Sequence, residues 1–293
     1  MKPSVSRRIF RRLINLNLKY ILIKLGLSRE KFQPDIRQST VLSDFFSPVQ
    51  AAEILAKPRF TEGTAEFRNC KIKYSDNLSF VSMINEIFVN SNYHYPATRR
   101  PFIIDCGANI GVSVLYFKKT YPDSTILAIE ADPEIYRILV ENISTNALEQ
   151  ITALNRAVWI DESTLNFVAD RSWGGHLEPG SHSSTSLAVQ GIDIASLITS
   201  DVDFLKMDLE GAEGTIILHA KETIAKYVKN FFFEYHSLSD RGQQLGEILS
   251  YFEKNGFRYH IKEANPKTSP FTEKRLSSRM DCQLDIFLYR YAI

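Results

Sequence analysis

A layered α/β architecture, with helices packed on a mostly parallel sheet, is the fold class this sequence predicts. Three observations carry that prediction. From residue 102 onward short apolar runs alternate with amphipathic stretches, the pattern of parallel strands joined by crossover helices. The first run, Phe102 to Cys106, feeds a glycine turn closed by Gly111, and the next, Thr125 to Glu130, ends on a carboxylate. The chain finishes on two adjacent strand-like segments, near 256–262 and 282–290, which implies an antiparallel edge strand on an otherwise parallel sheet.

Residues 1–29 stand apart in charge. Lys2, Arg7, Arg8, Arg11, Arg12, Lys19, Lys24 and Arg29 all precede the first acidic residue, Glu30. Drawn as a helix, Ile9, Leu13, Leu16, Tyr20, Ile23 and Leu27 form one apolar stripe, with Arg7 and Arg11 opposite. Three placements stay open: docked on the following domain, laid peripherally on the inner face of an anionic membrane, or an organelle presequence. Lys19 and Lys24 interrupt every run approaching the ~20 apolar residues of a membrane span. The same interruptions, and the lack of a small-residue cleavage site, argue against a secretory signal. Residues 30–66, with Pro34, Pro48 and Pro58, read as a linker carrying one short helix from Pro48 to Lys57.

The main domain is expected over 67–293. It opens with a strand at Phe67–Tyr74, a turn at Asp76-Asn77 and, at Phe80–Asn90, a helix or a strand-helix junction. Strands at 102–106, 125–130, 151–158, 203–208 and 229–235 then alternate with helices at 111–121, 133–145, 193–199, 211–226 and 240–255. Segments 164–169 and 186–192 flank a glycine- and serine-rich stretch, Ser172 to Ser184, and read as an inserted hairpin whose loop could fold over a ligand.

Composition excludes several classes. A net charge of +1 and a pI near 7.7 give no bulk electrostatic case for a nucleic-acid partner. Cys70, Cys106 and Cys282 are odd in number and without metal-type spacing, which fits a reducing, cytoplasmic compartment. Neither C-x-x-C nor H-x-x-x-H occurs, so no zinc site is expected, and nothing in the spacing demands another metal.

In open α/β sheets the ligand sits beyond the carboxyl ends of the strands. Gly107 and Gly111 would allow close approach to the backbone, and Glu130 would accept ribose hydroxyls. A dinucleotide site would want G-x-G-x-x-G; here Asp105 precedes the first glycine, where it would repel a pyrophosphate but suit the ammonium of an amino-acid tail. That favours S-adenosylmethionine over NAD. The bland alternative, an ordinary strand-to-turn junction, does not account for Glu130.

Ile104 to Gly111, Asp203-Phe-Leu-Lys-Met-Asp-Leu-Glu-Gly-Ala-Glu213 and Phe233-Glu-Tyr-His236 resemble the FkbM-type S-adenosylmethionine-dependent methyltransferases, over about residues 67 to 290. The resemblance implies a Rossmann-like class I methyltransferase fold whose sheet has seven strands, the last one reversed. It also implies O-methylation, commonly of hydroxyls on sugars, polyketides or other natural products.

On the cofactor side Asp105 would balance the aminoacyl ammonium, Gly107 and Gly111 would admit the backbone approach, and Glu130 would hold the ribose. Asn155 to Ala157 would border the adenine, and Asn109 is either a contact or a loop-stabilising amide. On the acceptor side Asp208 and Glu210 would shape the junction, with His236 or Glu210 taking the proton. Lys206 is expected to pair with a carboxylate, and Glu213 to complement a helix N-terminus. Trp173, Gly174, Gly175, His176 and His182, with Tyr93 and Tyr95, either stack on the acceptor or pack loops. The leading expectation is a methyltransferase acting on a hydroxyl of a glycan or natural product. A non-catalytic membrane-associated nucleotide-binding protein and an NAD-linked oxidoreductase stand as alternatives. Neither the methylated position nor the number of subunits is legible.

Overall fold

The computed structural model describes residues 45–97, 99–168, 176–177, 186–273 and 280–291. The basic segment 1–29 and the loop residues Trp173, Gly174, Gly175 and His182 lie outside the described residues, together with the roles expected of them. The described chain divides into two compact units: residues up to Asn92 with Glu141–Ala147, and Tyr93–Val140 with Leu148 onward. No described helix is long and apolar enough to cross a membrane.

In the first unit, helix α1 (Pro48–Ala56) starts where the sequence places it. Ser47 and Gln50 form a reciprocal capping box and Pro48 occupies the first turn, where its missing N–H costs nothing. The single strand expected at 67–74 is instead a hairpin, β1 (Gly63–Phe67) and β2 (Cys70–Tyr74). Arg68 and Asn69, with φ of 46° and 64°, make its two-residue turn, and positive φ at both positions lets the turn match the right-handed twist of the two strands. Asp76 accepts a hydrogen bond from Ser79 N at 2.9 Å and so begins helix α2 (Asn77–Ile84), which runs on into a π-helical turn, Asn85–Val89. Asn142, expected to end a helix, is buried and pairs its amide with both the N–H and the carbonyl of Lys73.

The second unit holds a seven-stranded sheet ordered β12-β13-β11-β10-β3-β4-β5. Its strands are β3 (Phe102–Cys106), β4 (Thr125–Glu130), β5 (Ile151–Asn155), β10 (Val202–Met207), β11 (Val228–Leu238), β12 (Arg258–Glu263) and β13 (Met280–Tyr289). Neighbours from β11 through β5 are parallel, and β13 is antiparallel to both β11 and β12. The last strand is thus reversed, as expected, but lies one place in from the edge, which β12 occupies. Helices α3 (Val112–Thr120), α4 (Pro133–Thr145), α5 (Ile194–Leu197), α6 (Glu213–Tyr227) and α7 (Leu245–Lys254) make the crossovers. Every residue of β10 is buried, as a central parallel strand requires.

Three departures from the sequence expectations bear on the site. The strand expected at 151–158 breaks at Arg156, and β6 (Ala157–Trp159) joins a separate sheet with β9 (Ser186–Asp193), β7 (Thr164–Val168) and β8 (His176–Leu177). Strand β11 continues to Leu238 because β13 pairs along nearly its whole length, so Glu234 and His236 lie within the strand and share one face. Tyr93 and Tyr95 are buried against Phe204, Phe117 and Phe232 and are core residues, not a cover for an acceptor.

Candidate functional site

The loop after β3 is held in a left-handed path. Its φ is 78° at Gly107, 50° at Asn109 and 87° at Gly111. A Cβ on Gly107 would stand 2.1 Å from the carbonyl oxygen of Asp208, so only glycine fits this crossing. The N–H groups of Gly107 and Ala108 both donate to Ile129 O at 2.9 Å, which ties the loop to β4. Glu130, at the end of β4, accepts from Asn109 N and Asp132 N, each at 2.9 Å. Burial pushes its carboxyl up to about 7, against the opposing pull of those two amides. Asn109 Oδ1 accepts from Ile110 N at 2.8 Å, the role of a loop-stabilising amide.

Asp105 is fully buried. Its Oδ2 accepts from Ser113 Oγ at 2.5 Å, and its Oδ1 lies 3.4 Å from Lys206 Nζ on the paired strand. Lys206 Nζ also donates to Gly107 O at 2.6 Å and stands 3.8 Å from Asp208 Oδ2. Asn155 uses its amide Nδ2 on the carbonyls of Glu130 and Ala131, bracing the end of β4. Ala157 is buried at the start of β6, and Arg156 Nη1 donates to Asn155 O.

Across the same sheet edge, Asp208 follows β10 with its N–H on Cys106 O. Glu210 and Gly211 turn the chain through φ of 53° and 103°, and α6 begins only at Glu213. Glu213 is buried; it accepts from Leu209 N at 2.7 Å and Gly211 N at 3.0 Å, and its Oε1 lies 3.1 Å from His236 Nδ1. His236 Nε2 faces Glu210 Oε2 at 3.5 Å and Glu234 Oε2 at 3.7 Å. Burial opposes charge on this imidazole, yet Glu213, Glu210 and Glu234 together raise its pKa well above the ordinary histidine value. Asp208, Glu234 and His236 also bring three donor atoms within 4.8 Å of one another, a set that could hold a divalent cation.

Two contributors were missed from sequence. Ser113 lies in the first turn of α3, where a buried serine has no motif to mark it. Gln283 donates to Glu234 Oε1 at 2.6 Å and is the register partner of His236 on β13, a pairing that no local pattern announces.

The Methyltransferase FkbM domain family matches residues 105–259, more than half of the chain and all of the site just described except Gln283. The chain belongs to the FkbM methyltransferase family. Two curated relatives match shorter stretches: Methyltransferase sdnD of Sordaria araneosa, 40% identical over 82 residues, and Methyltransferase 1 of Beauveria bassiana, 38% identical over 69. These alignments cover 27% and 23% of this chain, and the chain spans only 32% and 28% of those relatives' lengths. Among solved structures, an FkbM methyltransferase from Methylobacillus flagellatus aligns with a TM-score of 0.45 at 15% identity, covering 73% of this chain and 54% of its own. TYW2 of M. jannaschii in complex with AdoMet aligns with a TM-score of 0.44 at 16% identity, covering 80% and 90%.

S-Adenosylmethionine is the cofactor that membership of this family implies. The residues present fit it. Glu130 keeps a second acceptor site on each oxygen after binding the loop amides. The glycines serve the loop's own packing, since a Cβ would meet Asp208 O at 2.1 Å from Gly107 or Leu139 Cδ1 at 2.7 Å from Gly111.

Proposed function

We propose that this protein is an S-adenosylmethionine-dependent O-methyltransferase acting on a hydroxyl of a glycan or natural product. The observation that carries this reading is the pairing, on one sheet edge, of a glycine loop closed by Glu130 with a carboxylate group built around His236. S-Adenosylmethionine, when bound, supplies a methyl group already activated by its sulfonium. Glu130 and the Gly107–Gly111 loop hold the nucleoside, and the backbone from Asn155 to Ala157 borders the base. Asp105, enclosed by Ser113 and Lys206, supports the loop from beneath.

At the acceptor end, Asp208 and Glu210 orient the hydroxyl. Glu210 would receive its proton as the hydroxyl oxygen takes the methyl group that bound S-adenosylmethionine would supply. Glu210 suits this role because it is the more exposed of the two candidates; its side chain is 24% exposed, whereas that of His236 is 1% and has carboxylates against both ring nitrogens. His236, held by Glu213, positions Glu210. The left-handed φ of 53° at Glu210 is the kind of local strain that collects at working residues. Positioning of this sort can supply up to ~7–11 kcal/mol of barrier lowering.

Isothermal titration of the purified chain with S-adenosylmethionine, S-adenosylhomocysteine and NADH tests the reading. Saturable binding of the first two and none of the third is expected. Binding of NADH alone, or of none of them, would overturn it.

A further inference from the structure

We propose that Lys206 is a positioning residue for methyl transfer, clamping the Gly107 carbonyl of the cofactor loop to Asp208 so that both halves of the site hold one geometry. The inference rests on the methyltransferase reading above and deepens it. The ammonium donates a hydrogen bond to Gly107 O at 2.6 Å and lies at ion-pair distance from two carboxylates, Asp105 Oδ1 at 3.4 Å and Asp208 Oδ2 at 3.8 Å. Lys206 is 3% exposed in a strand that is buried throughout. A strand needing only to pack would be served by leucine or methionine, since a buried ammonium is costly unless its partners require it.

The partners it joins belong to two different crossovers. Lys206 and Asp105 are register partners on β10 and β3, and Ser113 in the first turn of α3 extends the chain of contacts through Asp105. The backbone is cross-braced at the same place, with Asp208 N on Cys106 O and the Gly107 Cα pressed against Asp208 O. Among the described residues, Lys206 is the basic side chain that reaches both Asp105 and Asp208 within 4.0 Å. Its loss would free the Gly107 carbonyl and leave two carboxylates without their shared cation.

The test is a double-mutant cycle with two readouts, S-adenosylhomocysteine affinity by calorimetry and thermal stability. Lys206→Met should lower the melting temperature and weaken binding at least about tenfold, a difference of ~1.4 kcal/mol. Asp105→Asn leaves the ammonium on Gly107 O but removes its buried counter-charge, and so should lower the melting temperature on its own. The pair Lys206→Met with Asp105→Asn removes the buried cation and its buried anion together, so stability should return while binding stays about tenfold weak. A pair variant that recovers affinity along with stability would assign Lys206 a purely structural role and overturn the proposal. So would unchanged affinity in Lys206→Met. Absence of binding by the wild-type chain would sink the methyltransferase reading itself, and is told apart from these outcomes by that control.

Discussion

Glu130 Oε2 accepts a hydrogen bond from the backbone N–H of Asn109 at 2.9 Å, and Oε1 accepts one from Asp132 N. The carboxylate that would grip a ribose therefore also shapes the two turns around it. Glu130→Ala should do two things at once. It should weaken S-adenosylmethionine binding about 10–100-fold, as loss of hydrogen bonds to a charged group at ~1.5–3 kcal/mol implies, and it should lower the melting temperature by orphaning two amides. Calorimetry and a thermal melt on one preparation would check both. An unchanged affinity would remove Glu130 from the site.

The same residue predicts a pH dependence. Its folded-state carboxyl is raised from 4.5 to about 7, chiefly by burial, so between those values the folded state holds more protons than the unfolded one. The stability Glu130 contributes is present below about pH 4.5 and is lost as pH rises through about 7. Ribose hydroxyls donate to the ionised form, so cofactor affinity should run the opposite way, rising with pH and levelling above about 7. Urea titrations of wild type and Glu130→Gln across this range should diverge accordingly. Below pH 7, calorimetry in buffers of different ionisation enthalpy should register proton release on binding.

Two glycines separate site geometry from general tolerance. Gly107→Ala places a Cβ 2.1 Å from Asp208 O at a φ of 78° and should cost ~1–3 kcal/mol while abolishing cofactor binding. Gly246 lies in α7 with nothing within 4 Å of its virtual Cβ, so Gly246→Ala should leave binding intact and stabilise by up to ~1 kcal/mol. Chemical denaturation of the two variants gives the comparison.

Glu213 joins the turn before α6 to His236, and both side chains are 1% exposed. Removing one partner of a buried pair leaves the other uncompensated, so Glu213→Ala should destabilise by ~3–5 kcal/mol. Glu213→Gln, which retains an acceptor for Leu209 and Gly211, should lose much less. A Glu213→Ala variant as stable as wild type would show that the pair with His236 contributes nothing to stability.

What the sequence determined by itself is the part of the molecule written in short-range pattern. The strand–glycine–helix run through Cys106 and Gly111 and the strand ending at Glu130 are each contiguous, so apolar periodicity and turn chemistry reveal them. The acidic residues at Asp208, Glu210 and Glu213 were visible for the same reason. The hairpin at Arg68-Asn69 was not, because two left-handed non-glycine residues leave little trace in composition.

Tertiary structure decided which of these residues act on which. Insertion of β10 between β3 and β11 sets Lys206 beside Asp105 and carries its ammonium to Gly107 O, across a separation of 99 residues. The reversed β13 lengthens β11 and sets Gln283 beside His236. It also turns Glu234 and His236 from presumed strand-end groups into neighbours on one buried face. Side-chain chemistry at each position is local information, but distance and burial arise only when the crossovers fix strand order, and those two quantities set charge, hydrogen bonding and reactivity at the site.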